Sequence, residues 1–312
     1  MKEVQVYSPA TIANVCCGFD VMGLALNEPV DKMILRKSHY PGVHISNIQG
    51  ADLSKQPNKN VVGVVLEELL HHLPNNKYGI EVEIYKNIKP GSGIGSSAAS
   101  AAGAAVGANL LFGKYFKTTD IVQFALIGEK LACGIGHADN VAPAIMGGFT
   151  LVKSYNPLKI ISLPSPKKLW VTVIHPQIEI KTSEARKILK KEVLMTDAIK
   201  QWGNVGALVS ALYREDYSLL GSSLEDFIVE PIRLKLIPAF HELKRECKKV
   251  GCLGGGISGS GPSVFMFSEG KEKACSVADC MRYVYNKMDL KIDYKIYIST
   301  VNNNGVYCSF TN

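Results

Sequence analysis

The chain is 312 residues long, with 35 basic and 28 acidic side chains and a net charge of +7. Its 46 % apolar and 20 % charged content excludes a disordered chain, and eight cysteines over this length exclude a secreted disulfide scaffold. At roughly 150 residues per domain the length suggests about two domains, with ample material for a real core.

From the N-terminus, Met1-Lys2-Glu3-Val4-Gln5-Val6 is polar and alternating, without the apolar run of a signal peptide. Residue patterning then predicts strands over 4–7 and 32–36, a helix over 60–71, a strand over 78–85 and helices over 96–111 and 119–131. Strands follow over 149–153 and 169–174, and helices over 183–188, 198–214 and 238–248. A strand over 263–267, a helix over 271–287 and a strand over 294–299 complete the chain. The two types mix without strict alternation, which favours an α+β fold over a doubly wound sheet. Pro157, Pro164 and Pro166 mark 156–168 as the boundary between an N-terminal domain, 1–160, and a C-terminal one, 161–312.

Nowhere do about 18 strongly apolar residues run together. The richest stretch, 98–112, is Ala and Gly, so no membrane span is expected and the protein reads as cytoplasmic. No C-x-x-C occurs among the cysteines, which leaves zinc and thioredoxin-type motifs without support and favours free, buried thiols in a reducing compartment. The densest basic pairs, Arg186-Lys187 with Lys190-Lys191 and Lys244-Arg245 with Lys248-Lys249, lack interleaved aromatics. They read as solvated helix faces, and no nucleic-acid partner is expected.

Chemistry concentrates in Pro90-Gly91-Ser92-Gly93-Ile94-Gly95-Ser96-Ser97-Ala98, which follows a strand and opens a helix. Glycines at alternate positions let the backbone turn tightly and approach a ligand with no Cβ in the way. The helix behind them aims unpaired N–H groups and the positive end of its dipole at the loop, which suits phosphate. Ser96 and Ser97 could cap the helix, bind phosphate oxygens or reach a metal; an ordinary strand–turn–helix with a serine cap is the bland alternative. Ser100, Gly103, Ala104, Gly107 and Ala108 are small residues at helical spacing, which lets the helix pack closely and hold the loop rigid. Gly254, Gly256 and Gly259 match G-x-G-x-x-G but lead through Pro262 into a strand, so a dinucleotide site is disfavoured.

Three segments together resemble the GHMP family of small-molecule kinases. They are Pro9-Ala10-Thr11-Ile12-Ala13-Asn14 with Gly18-Phe19-Asp20, the loop at 90–100, and Gly254-Gly255-Gly256-Ile257-Ser258-Gly259-Ser260-Gly261-Pro262-Ser263. Gly136-His137-Ala138-Asp139-Asn140-Val141-Ala142-Pro143-Ala144 with Gly147-Gly148-Phe149 is similar to the signature of the branch that phosphorylates homoserine. The resemblance implies an N-terminal domain like the second domain of ribosomal protein S5, a ferredoxin-like C-terminal domain, and a homodimer. It also implies an activity: transfer of the γ-phosphoryl group of ATP to the hydroxyl of L-homoserine, on the route to threonine.

By the same resemblance, Pro90, Gly91, Ser92, Gly93, Ile94, Gly95, Ser96, Ser97, Ala98, Ala99 and Ser100 would hold ATP, with Asn60 near the adenine. Ser97 and Glu129 would hold Mg²⁺. Glu129 can also be read on its own, since its helical neighbours Ala125, Leu126, Ala132 and Cys133 form an apolar face on which a carboxylate wants a cation. Asn14 and Asp20 would meet the polar end of homoserine, Arg186 and Arg233 its carboxylate, and His137, Asp139 and Thr182 the same pocket. Asn140 stands where some relatives place an aspartate base. An amide takes no proton at neutral pH, so catalysis by positioning and charge stabilisation is expected, with Asn140, Asp139 and Arg186 beside the reacting atoms. Asp139 or Asp20 acting as base is the competing hypothesis.

Overall fold

The computed structural model describes residues 2–74, 77–288 and 291–309. Its first half interleaves strands and helices: β1 (Glu3–Ala13), β2 (Met22–Ser38), β3 (Val43–Gln49), α1 (Val61–His72), β4 (Gly79–Tyr85), α2 (Ser96–Leu111), α3 (Thr118–Cys133) and α4 (Ala138–Met146). The hairpin β5 (Phe149–Tyr155) and β6 (Leu158–Leu163) leads to β7 (Leu169–Pro176). Five helices follow: α5 (Thr182–Lys187), α6 (Met195–Arg214), α7 (Tyr217–Ser222), α8 (Glu230–Arg233) and α9 (Phe240–Lys249). The chain closes with β8 (Gly254–Ile257), β9 (Val264–Glu269), α10 (Lys271–Lys287), β10 (Tyr294–Thr300) and β11 (Tyr307–Ser309).

The strands form two sheets. The larger runs β11-β1-β2-β4-β3, with β5 also on β2 and β6 on β5. Its centre is the 17-residue β2, which pairs with β5 through Met22–Leu24 and with β4 through Lys32–Ser38. The smaller sheet runs β10-β7-β9-β8, antiparallel throughout. Period-two alternation buries Val4 and Val6 of β1 with Met33 and Leu35 of β2, and α2 lies across them. This contact needs the small residues of α2: a Cβ on Gly103 would meet Ser8 Oγ at 2.3 Å, and one on Gly107 would meet Val6 Cγ2 at 2.7 Å. A second apolar cluster joins the sheets through Ile12, Leu24, Phe149, Val171, Phe265 and Phe267. A third packs α9 and α10 on the outer face of the smaller sheet.

Several elements escape the patterning. β3, β6, β8 and β11 are short or weakly alternating, and β8 is mostly glycine. Helix α4 carries Pro143 inside it. That proline has no N–H for the Asp139 carbonyl, and the carbonyl lies so close to Gly23 that a Cβ there would approach it to 1.7 Å. Pro157 sits at a hairpin turn: β6 pairs back onto β5 from Tyr155↔Leu158 to Phe149↔Leu163, so only the second half of 156–168 passes between the sheets. Among the described residues no helix is long and apolar enough to cross a membrane. Cys16, Cys17, Cys247 and Cys252 are free and buried, while Cys275, Cys280 and Cys308 are free but partly exposed, a departure from uniformly buried thiols. The Cys133 side chain lies outside those described.

Candidate active site

A cavity of about 640 Å³ opens between α2, α3, α4, α5 and α8. One wall is the glycine loop. Gly91, Gly93 and Gly95 all lie in the left-handed region, with φ of 71°, 80° and 71°, which is why glycine is needed at each of them. The turn of the third motif braces this loop from behind. Ser258 Oγ donates to the Gly93 carbonyl and Ser263 Oγ to the Ser92 carbonyl, each at 2.7 Å. Helix α2 has Gly95 as its N-cap and no side-chain cap. Ser96 Oγ donates instead to the Ile88 carbonyl at 2.7 Å, so the serine-cap alternative is not what forms, and the first turn keeps its N–H groups for an anion.

Pro90, Gly91, Ser92, Gly93, Gly95, Ser96, Ser97 and Ser100 line the cavity, as does Asn60. Ile94, Ala98 and Ala99 do not; they are fully buried in the apolar clusters beneath the loop. Asn60 caps α1, accepting the Val62 N–H at 2.9 Å and donating to the Ser54 carbonyl at 2.7 Å. One lining residue had no signal in its spacing. Lys86 is buried, paired with Asp31, and donates to Ser96 O and Ser100 Oγ, both at 2.9 Å. It ties β2, β4 and α2 together under the loop, and breaking such a buried pair costs about 3–5 kcal/mol.

The opposite wall is assembled from distant segments. The turn after β1 is strained: Asn14, Val15, Cys16 and Asp20 have φ of 73°, 42°, 60° and 60°, conformations that non-glycine residues adopt only when their surroundings impose them. Here Val15, Cys16 and Cys17 are buried in the core. Asn14 Nδ2 donates to the Gly259 carbonyl at 2.9 Å, and its Oδ1 accepts the Asp20 N–H at 3.1 Å. Asp20 thereby faces Arg186, whose Nη2 donates to both carboxylate oxygens at 2.7 Å. The same nitrogen lies 3.1 Å from His137 Nε2. Since a guanidinium only donates, His137 accepts there and carries its proton on Nδ1, 3.9 Å from a Glu129 oxygen. Burial lowers the His137 pKa and favours this neutral form. Arg233, only 2 % exposed, donates through Nε to Ala185 O at 3.2 Å and through Nη1 to Gly259 O at 3.0 Å. Thr182 Oγ1 lies 3.3 Å from Ser260 Oγ at the rim.

Two buried carboxyls complete the floor. Burial lifts Glu129 to about 7, against a Ser97 hydrogen bond that lowers it. Burial, then the Asp20 and Glu129 charges, lift Asp139 to about 8. Glu129 Oε1 and Asp139 Oδ1 are buried without a hydrogen-bond partner among the described residues. Such atoms are costly to leave unmatched, and the Glu129–Ser97 pair offers the oxygen donors that a hard cation takes. Among the described residues no group of three or more His, Cys, Asp or Glu could hold a metal, so a cation here would draw its remaining ligands from a bound phosphate and water. Asn140, beside Asp139 at the start of α4, accepts a 2.7 Å hydrogen bond from Thr11 Oγ1. Thr11 reaches it because Gly95 has no Cβ, which would lie 1.9 Å from that hydroxyl. Asn140 is left to offer its N–H₂ to the cavity it lines.

A braced glycine loop at a helix N-terminus, facing a pocket with carboxylate and guanidinium partners, defines a small-molecule phosphotransferase, and comparison with known proteins agrees. Models of the GHMP kinases N terminal domain and the GHMP kinases C terminal match residues 60–148 and 208–287. The chain is 44 % identical over 317 residues to the homoserine kinase of Chlorobium phaeobacteroides (strain BS1), covering 98 % of this chain and 99 % of that one. It is 39 % identical to the homoserine kinase of Methanococcus vannielii, covering 92 % and 94 %. The crystal structure of homoserine kinase from Cytophaga hutchinsonii superposes with a TM-score of 0.95 at 44 % identity, covering 99 % and 98 %. L. major mevalonate kinase in complex with R-mevalonate shares the fold alone, with a TM-score of 0.71 at 16 % identity over 95 % and 94 %. The chain belongs to the GHMP kinase family, with its two-domain fold, and to the homoserine kinase branch of that family.

Proposed function

We propose that the protein transfers the γ-phosphoryl group of ATP to the side-chain hydroxyl of L-homoserine, giving ADP and O-phospho-L-homoserine for threonine biosynthesis. The observation that carries this reading is the charge layout of the acceptor wall. A zwitterion inserted between Asp20 and Arg186 replaces their ion pair with two of its own, ammonium to Asp20 and carboxylate to Arg186 and the buried Arg233. Asn14, His137 and Thr182 would enclose it. An uncharged alcohol has nothing to offset the loss of that pair.

The acceptor hydroxyl would then face the glycine loop, where Gly91, Gly93, Gly95, Ser96 and Ser97 receive the phosphates and Asn60 borders the adenine end. Ser97 and Glu129 would hold Mg²⁺, which when bound neutralises charge on the transferring phosphates. Neither candidate base is well placed to act. Asp139, lifted to about 8, is largely protonated at neutral pH, and Asp20 is engaged by Arg186. Catalysis therefore rests on orientation and on the donors of Asn140, Arg186 and the α2 N-terminus, and the hydroxyl proton leaves with the phosphoryl oxygens or through water. The proposed division into domains 1–160 and 161–312 lies close to the passage from one sheet to the other, which comes after Leu163 at the end of β6, while β11 returns to the larger sheet. The free cysteines suit a reducing cytoplasm, and the family resemblance favours a homodimer.

The test is ADP release with Mg²⁺-ATP against L-homoserine, L-serine, L-threonine, mevalonate, galactose and shikimate. Turnover should be strong on L-homoserine and at least about a hundredfold weaker on the uncharged galactose and on mevalonate and shikimate, which lack the ammonium. Preference for any of these three would overturn the reading.

A further inference from the structure

Phe19 lies in the strained turn between β1 and β2, one residue before Asp20, and it is half-buried. Its ring belongs to none of the three apolar clusters, either as a member or as a neighbour packed against one. What lies over it is charge. The Arg233 guanidinium carbon is 5.2 Å from the ring centroid and that of Arg186 is 5.5 Å away. One phenyl ring thus receives both cations of the acceptor wall, which arrive from α5 and α8.

We propose that Phe19 is the positioning residue of the carboxylate clamp, a platform that holds both guanidiniums so that their N–H edges stay free for the substrate carboxylate. This rests on the function proposed above and adds to it the group that sets the clamp's geometry. The chemistry favours a ring for this task. A guanidinium binds an aromatic by its face and a carboxylate by its edge, so stacking consumes no N–H donor. A polar side chain at position 19 would instead compete for those donors. Arg186 Nη1 and Arg233 Nη2 make no hydrogen bond among the described residues, although every other nitrogen of Arg233 does. The two cations also repel each other, and Arg233 has little water to screen it. Burial lowers the Arg233 pKa; the Asp20 charge raises it, and the Arg186 charge, acting less strongly than Asp20, lowers it. The electron-rich ring face offsets part of that repulsion before any substrate arrives, leaving less ordering for the substrate to impose.

The turn makes the placement possible. Gly18 leaves no Cβ where one would meet Met22 Cβ at 2.5 Å, and the left-handed Asp20 reverses the chain immediately after the ring. Asp20 and Phe19 thus emerge side by side, counter-ion and platform from two adjacent residues.

The test compares Phe19→Leu and Phe19→Tyr with the wild type by steady-state kinetics, and by calorimetric binding of L-homoserine without nucleotide. Phe19→Leu should raise both KM and Kd for L-homoserine about tenfold, with KM for ATP unchanged and any fall in kcat, through Arg186, smaller than the rise in KM. Phe19→Tyr, which keeps the ring face, should restore both constants to near wild type. A Phe19→Leu protein that binds L-homoserine as tightly as the wild type would overturn the platform. So would Phe19→Tyr behaving like Phe19→Leu, or a parallel rise in KM for ATP, which would mark a general structural role. Wild-type protein that binds L-homoserine without phosphorylating it would sink the proposed reaction and leave the platform standing.

Discussion

The wall proposed to receive the phosphates is nearly a single run of chain, from Pro90 to Ser100, which offers backbone N–H groups and glycines at φ near 70–80°. Side chains from elsewhere in the chain brace it: Ser258 and Ser263 hold loop carbonyls, and Lys86 satisfies Asp31, Ser96 and Ser100. The acceptor wall is the reverse. Asn14, Asp20, His137, Asp139, Thr182, Arg186 and Arg233 come from the β1–β2 turn, α4, α5 and α8. Their chemistry lies in side chains, with charge on Asp20, Arg186 and Arg233, and among the described residues Asp139 Oδ1 and Arg186 Nε have no hydrogen-bond partner. Phosphate is the same in every reaction of this class, so backbone can read it. The acceptor varies, and reading it takes charges that tertiary structure must bring together.

If the phosphate wall is rigid backbone, a single methyl should break it. Gly95→Ala would place a Cβ 1.9 Å from Thr11 Oγ1 and 3.1 Å from Asn140 Oδ1, at a φ of 71°. We expect kcat to fall at least about a thousandfold, and stability by about 2–4 kcal/mol, read from turnover and denaturant melts. A folded, fully active variant would show that the loop is more plastic than its hydrogen bonds imply.

Glu129 sits where the two walls meet. Glu129→Gln should lower kcat on the order of a hundredfold and raise the Mg²⁺ concentration needed for half-maximal rate. It should also change the pH dependence of stability without ligands. The folded protein holds a proton on Glu129 up to about pH 7, whereas the unfolded chain releases it near its ordinary 4.5. That stabilisation is full below about 4.5 and is lost as the pH rises through about 7. The melting temperature of the wild type should therefore fall between about pH 5 and 8 more steeply than that of Glu129→Gln, by the equivalent of ~2 kcal/mol. Parallel melting profiles, with unchanged Mg²⁺ dependence, would remove Glu129 from the metal position.

Arg233→Lys probes the acceptor wall most mildly. The charge stays but the planar fork is lost, so KM for L-homoserine should rise about tenfold with little change in KM for ATP. An unchanged KM for L-homoserine would take Arg233 out of the clamp. A rise confined to ATP would assign it to the other wall.

Most of the glycine loop's geometry was legible from residue order alone, because a glycine's freedom and a helix N-terminus are local properties. The helices 96–111 and 271–287 were bounded correctly, the second by an apolar period of 3.6 residues and the first by the glycine loop that precedes it and its run of helix-favouring alanines. Helix α4 was missed because Pro143 reads as a breaker, although it bears Asp139 and Asn140. Resemblance located those two residues where patterning did not. Lys86 had no signal at all, since a lysine after a strand is usually solvated; Phe19 stood inside the first motif but was given no role, since a phenylalanine in a turn is usually core.

By itself, then, the amino-acid sequence determined the α+β class, most of the secondary structure, the glycine loop at the start of α2 and the family. Those follow from short-range stereochemistry, hydrophobic period and motif. Only the tertiary structure decided that Ile94, Ala98 and Ala99 lie under the cavity instead of lining it, that Thr11 orients Asn140, and that one ring meets two arginines. Each of these joins residues far apart in the chain, or turns on which side of one turn of helix faces the core, and the packing of two sheets against each other sets both.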